Sequence, residues 1–280
     1  LVPEHTIKDA SGNSHVEPAQ DIKVEMPVKI HHGPIIFANN APLFGMGYAT
    51  SKLPLPKDYF QKFDTLFTKE SIKPVLDLSI FVNYFNKSTL EFNLPAFKLI
   101  TKKPDTSEMN WTGLESKTIM TSNLDKINGS FIIKAFNITN QGAKIAVGDI
   151  NTVYNFIKNA AGLYLGDAKF SLMSLDVDIP NQKKFQLSLL EATSDTKVDQ
   201  NLYSSHLNMT LKSIVGNGQT YGPGSIEMSL RNLDAEVLGQ INQRIVDMKD
   251  GTDAERQQNM LALLPLLPKL LNKGAEFEIS

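Results

Sequence analysis

Apolar and polar residues alternate along most of this chain, and alternation marks a strand with one buried face. Residues 21–30 are the cleanest case: Ile22, Val24, Met26, Val28 and Ile30 share one face. Pro27 lies on the other face and cannot donate to a ladder, which places this strand at a sheet edge or a bulge. Leu76, Leu78, Ile80, Val82 and Tyr84 alternate next, then Leu90, Phe92 and Leu94, with a hairpin at Asn86 and Lys87 between them. Further strands fit 108–121, 127–139, 142–148, 165–179, 183–193, 202–215 and 221–231. Short links such as 180–183 and 216–218 join most of them, which implies antiparallel pairing.

Four stretches change to the helical period. Tyr59, Phe60, Phe63, Leu66 and Phe67 form one stripe over 57–69, and Val153, Tyr154, Ile157, Ala160 and Ala161 another over 152–161. Val237, Leu238, Ile241, Ile245 and Met248 form a third over 235–248. The fourth opens on a capping box, Thr252-Asp-Ala-Glu255, ends at Gly274, and must kink or restart near Pro265.

One phrase recurs. Gly166-Asp-Ala-Lys-Phe-Ser-Leu-Met-Ser-Leu-Asp176 and Gly224-Ser-Ile-Glu-Met-Ser-Leu-Arg-Asn-Leu-Asp234 share glycine, serine, two leucines and aspartate in register. Residues 141–151 are a looser version ending in Asn151. Such self-similarity predicts a repeated supersecondary unit. Asn151 and Asp234 stand where an N-cap belongs, so the expected unit is strand, tight turn and capped helix. Inside the phrase apolar residues sit two apart and then three apart (Leu172 then Leu175, Leu230 then Leu233), which predicts a bulge or turn at that point. Residues 274–280 match the start of 142–148 and read as a fourth, interrupted version, so the chain is expected to be a piece of a longer one.

Composition narrows function mainly by exclusion. The 280 residues carry a net charge of -2, and Arg231, Arg244 and Arg256 are the only arginines. That balance gives no electrostatic basis for binding nucleic acid. Without cysteine there are no disulfides, thiolate nucleophiles or thiolate metal sites. No motif for a nucleotide loop, a nucleophile elbow, a zinc helix or a calcium loop occurs, and the residues call for no catalytic set, metal or cofactor. His31 and His32 are strand neighbours pointing to opposite faces, so they do not chelate jointly without a bulge. Gly216–Gly224 lead into a strand where a dinucleotide fingerprint needs a helix, and read as a turn or bulge. Asp176 and Asp178 read as a solvated pair on one strand face, and Trp111 as a core anchor. The best candidate for an interaction surface is 260–271, where Leu263, Leu264, Leu266, Leu267 and Leu270 belong to an apolar set larger than one stripe needs.

Ile30-His-His-Gly-Pro34, Met109-Asn-Trp-Thr-Gly113, Gly162-Leu-Tyr-Leu-Gly166, Tyr221-Gly-Pro-Gly224 and Asn232-Leu-Asp-Ala235 occur in an order that resembles the YdgA-like family of bacterial envelope proteins of unknown function. The resemblance covers about 20–280 and implies a periplasmic protein anchored to the inner membrane by an N-terminal segment, with a homodimer plausible. It assigns no catalytic residues.

The expected fold is α+β and mainly antiparallel: one long curved sheet, or two related sheets, built from repeated strand–turn–helix units and packed on amphipathic helices. Residues 1–150 form the N-terminal half of this β-rich domain and 151–280 the C-terminal half with the second and third helices. The leading functional expectation is a non-enzymatic binding or scaffolding domain whose apolar groove or docking face meets a lipid or an envelope protein. The competing one is an envelope hydrolase or metal-dependent enzyme using His31, His32 or His206, and a third is a spacer that holds a further region away from the membrane.

Overall fold

A computed structural model of the chain describes residues 5–8, 14–17, 26–38, 41–54, 63–103, 106–250 and 253–280. In chain order the strands are β1 (His5–Lys8), β2 (Ser14–Glu17), β3 (Val28–His32), β4 (Ile35–Ala38), β5 (Ala41–Phe44), β6 (Gly47–Pro54) and β7 (Val75–Val82). They continue with β8 (Lys87–Leu94), β9 (Phe97–Ile100), β10 (Ser107–Trp111), β11 (Leu114–Thr121), β12 (Lys126–Ile133), β13 (Phe136–Asn140), β14 (Ala143–Val147) and β15 (Ile150–Lys158). The last are β16 (Tyr164–Asp178), β17 (Phe185–Asp199), β18 (Leu202–Gly216), β19 (Gln219–Tyr221), β20 (Gly224–Asp234) and β21 (Glu276–Ile279). Helices α1 (Ala235–Asp250), α2 (Asp253–Leu263) and α3 (Leu266–Leu271) lie between β20 and β21, and residues 63–66 are also helical.

Nearly all the strands join one antiparallel sheet. Its ladder runs β3, β6, β7, β8, β11, β12, β15, β16, β17, β18, β20, β21. A second run, β9, β10, β13, β14, joins the far half of β16. The two runs are one sheet, because β8 and β9, β10 and β11, β12 and β13, and β14 and β15 are halves of single long strands. Among the described residues no pairing joins β3 to β21, so this large curved sheet is open, and β3 is an edge strand as Pro27 implied. The hairpins β1–β2 and β4–β5 form separate two-stranded ladders.

The strand halves meet along one transverse crease. The register is unchanged from one side of it to the other, so Pro95 and Ala96 fall opposite Thr112 and Gly113, which oppose Lys134 and Ala135. Those oppose Gly148 and Asp149, then Met173 and Ser174. The line continues through Leu189 and Lys212 to Pro223. Regular antiparallel strands alternate hydrogen-bonded and non-bonded pairs. Here two adjacent pairs are both bonded: Met173 N donates to Asp149 O (3.0 Å) and Gly148 N to Ser174 O (2.8 Å). Alternation has therefore slipped by one residue. Gly113, at φ 139, and Leu189, at φ 39, lie on the same line, and the Asp149 carboxylate accepts the Ala135 N–H (2.8 Å).

The slip explains the sequence. Apolar residues run two apart on each side of the crease and three apart across it: Leu94 to Phe97, Trp111 to Leu114, Ile133 to Phe136, Val147 to Ile150, Leu172 to Leu175, Leu187 to Leu190, Leu211 to Ile214. With one residue of alternation absorbed at the crease, every strand keeps its apolar side chains on one face. Leu230 and Leu233 have a different cause. Tyr203 faces Leu233 and Ser205 faces Leu230, so Arg231 and Asn232 together oppose Ser204 in a β-bulge, with Asn232 at φ 63.

Several expectations need correction. Residues 152–161 are not a helix: Ile150–Lys158 form β15, and Asn151 caps nothing, since it pairs with Ile132 and Ser171. The repeated phrase therefore shares a strand, not a strand–turn–helix unit; only its last occurrence runs into a helix. There Asp234 is the cap, its Oδ1 accepting the Glu236 and Val237 N–H groups at 3.1 Å. Residues 108–121 and 127–139 are each two strand halves. Of the helix over 57–69, residues 57–62 lie outside the described residues, 63–66 are helical, and Phe67 instead bridges to Thr101. The start of the strand over 21–30 and Thr252 also lie outside the described residues. The restart at Pro265 separates α2 from α3, and Gly274, at φ 77, ends the helical segment.

Burial occurs at both ends of the sheet: Ile36, Tyr48 and Phe63 are buried toward the β3 and β9 edges, and a second cluster lies at the helical end. Leu233, Ala235, Leu163 and Leu266 are all less than a tenth exposed. Helix α1 passes so near the 159–163 turn that a Cβ on Gly239 would lie 2.2 Å from the Ala161 carbonyl oxygen. Glycine is needed there.

Candidate functional site

The candidate site is the apolar face of the creased sheet. One row, Leu94, Leu114, Ile133, Ile150, Leu172, Leu190 and Leu211, runs directly across the strands on one side of the crease. A parallel row, Phe97, Trp111, Phe136, Val147, Leu175, Leu187 and Ile214, runs along the other. Phe97 and Trp111 rings lie 5.9 Å apart and Trp111 and Phe136 rings 5.4 Å apart, so these side chains share one surface. Six inter-strand steps of about 4.8 Å make each row about 29 Å long.

Among the described residues this face has no second layer over the two rows. Each described strand packs mainly on its ladder neighbours; α1 to α3 pack at the β20 end and on the 159–163 turn, and the helical turn 63–66 lies beside the end of β9. None of the fourteen residues in the two rows is fully buried and none is fully exposed; all are half-buried. An apolar sheet face is normally covered by another layer, so a half-buried apolar strip of this extent is a candidate for contact with something else. At the β20 end the face deepens into a hollow of 320 Å³ lined by Leu207, Met228, Leu230 and Phe277. Polar groups on the face are paired across strands, as in the 2.7 Å contact between Thr118 Oγ1 and Tyr154 Oη. The Trp111 Nε1–H is an exception, buried without an acceptor.

The structure separates the histidines. His31 and His32 lie on edge strand β3, opposite Tyr48 and Gly47, while His206 lies on β18 near the other edge. Among the described residues no three His, Asp or Glu groups gather as metal ligands. His206 does make one contact that the sequence did not announce: its Nδ1 lies 3.1 Å from Ser229 Oγ, and its Nε2 3.6 Å from Glu227. Only the β18–β20 register brings these three together. Acyl transfer needs free N–H donors aimed at the oxyanion. Ser229 sits mid-strand between His206 and Glu278, where its backbone belongs to two ladders.

The leucine-rich segment divides. Leu266 is buried beneath α3, and Leu263 and Leu270 are half-buried. Leu264 and Leu267 point outward, forming an exposed patch with Met260, Leu261 and Leu271. Trp111 belongs to the face, not to a closed core. Asp176 is engaged by the Gln186 amide, which donates to Oδ1 at 2.5 Å. Gly216–Gly224 hold the short strand β19, as a turn reading requires.

A family described as "Bacterial protein of unknown function (DUF945)" matches residues 4–280. The chain belongs to this family. The DUF945 match agrees with the resemblance to YdgA-like proteins. Comparison with curated proteins and with solved structures gives no match. Sequence reasoning identified many of the strands, missing β6, β9 and β15 among others, and did not identify the face they compose. The signal for it was the spacing of three, repeated at one transverse line on seven strands.

Proposed function

We propose that this DUF945 protein is a non-enzymatic periplasmic binding domain whose creased apolar face holds lipid acyl chains. The observation that carries this reading is the pair of half-buried apolar rows, each about 29 Å long, over which no described element is layered. A bilayer's hydrocarbon core, two acyl chains deep, is about 30 Å thick, so one row accommodates an extended chain with room to spare. The aliphatic rows fit such a chain, because burying it removes apolar surface from water on both partners. The resemblance to envelope proteins supports a periplasmic location and an N-terminal anchor in the inner membrane. The exposed Leu264 and Leu267 patch supplies a docking face for an envelope protein or a second copy.

Native mass spectrometry of gently purified protein tests the lipid reading. Phospholipid or fatty-acid adducts are expected, and Leu190→Glu, which puts a charge in one row, removes them. A clean apo mass for the unaltered protein overturns the reading.

A further inference from the structure

The opposite, polar face carries a separate cavity. Near the β3 edge, where β3, β6, β7 and β8 lie side by side, a hollow of 730 Å³ opens. The register stacks its walls in two rows: Lys29, Thr50, Ser79 and Glu91 in one, Lys52, Asp77 and Asn93 in the next. Strand alternation puts all of them on one face with Tyr48, which is buried to within 6 %.

Lys29, Lys52, Asp77 and Glu91 line this wall and Lys117 stands beside Glu91, so three ammoniums accompany two carboxylates. Lys52 Nζ lies 3.2 Å from Asp77 Oδ1, and Lys117 Nζ lies 3.0 Å from Glu91 Oε1. Ser79 Oγ also donates to Glu91 Oε2 at 3.5 Å. Asp77 Oδ1 is buried, yet it accepts no aligned hydrogen bond. With Lys52 and Lys117 engaged by the two carboxylates, Lys29 is the one ammonium an anionic ligand would meet here, against two carboxylates that repel it. A metal ion would compete with lysines for both carboxylates. A purely apolar ligand would desolvate the two ion pairs, the Asn93 amide and the hydroxyls and give them no new partner, which is costly. An uncharged molecule rich in hydroxyl groups does neither, since each hydroxyl both donates and accepts. The volume falls within the usual range for small-molecule sites.

We propose that this cavity binds an uncharged saccharide, with Asp77 and Asn93 as its principal hydrogen-bonding groups. The site is on the face away from the acyl-chain rows and does not depend on them. The test is calorimetric titration of the full chain with N-acetylchitotriose, maltotriose and cellotriose, with trigalacturonic acid and inorganic phosphate as charged probes. At least one neutral trisaccharide binds saturably, and Asp77→Asn and Asn93→Ala each weaken it about tenfold. Both variants keep the circular-dichroism melt of the unaltered protein, and Leu190→Glu leaves saccharide affinity unchanged. The proposal is overturned if no neutral probe binds, if only the charged probes bind, or if binding survives both variants at full affinity.

Discussion

The two ends of the apolar face are built from the same kinds of residue and finished differently. At the β20 end, helices close over the sheet, and Leu233, Ala235 and Leu266 lose nearly all contact with water. Across the crease, rows of leucine, isoleucine and phenylalanine run through seven strands with no described element layered above them. The covered end shows that this sheet is able to take a second layer. The open stretch therefore reads as a surface kept for a ligand.

Large-to-small changes test this contrast first. Leu266→Ala, in the covered end, should cost about 2–5 kcal/mol in urea unfolding. Leu190→Ala, in the open row, should cost only about 1–2 kcal/mol, because its side chain gives up less burial. Equal losses would mean that the face is covered in solution. Gly148→Ala probes the crease: the new Cβ would lie 2.7 Å from Ser174 Oγ and 2.9 Å from Ser174 N. Overpacking of this kind costs about 1–3 kcal/mol, and a thermal melt unchanged by the substitution would contradict the close approach. Asp234→Ala removes the cap of α1 and should lower stability by about 1 kcal/mol, while leaving ligand binding in the rows intact.

The smallest effect belongs to Glu108 on the polar face. The Asn110 amide, and then Lys98 at 3.0 Å, hold its carboxyl below the ordinary value. A lowered folded-state pKa adds stability above the unfolded value and loses it as pH falls through the folded one. The group is solvent-exposed, so screening leaves little of this. Glu108→Gln should leave the melting midpoint at pH 7 unchanged within error.

The alternation of Ile80, Val82, Leu90 and Phe92 made β7 and β8 legible from the sequence, and Pro27 marked the β3 edge correctly. Asp234 was readable as a cap because a clear helical stripe follows it. Residues 152–161 misled for a physical reason. Val153, Tyr154 and Ile157 mimic a helical stripe, but they are split between the two faces of β15, with Thr152, Tyr154 and Phe156 on the apolar one. Two flanking ladders and β-branched, aromatic side chains outweigh so short a periodicity. The spacing of three between Leu172 and Leu175 was visible as a local irregularity. That it aligns with Trp111 to Leu114 and Ile133 to Phe136 depends on register between strands, which one sequence does not display. Ser229 beside His206 was hidden for the same reason.

The central claim is that the creased face is an open site for acyl chains, and direct titration with a fluorescent fatty acid such as cis-parinaric acid tests it. The account predicts saturable binding that palmitate displaces and that Leu190→Glu abolishes while the protein stays folded by circular dichroism. Failure to bind, or binding untouched by Leu190→Glu in the folded protein, would contradict it.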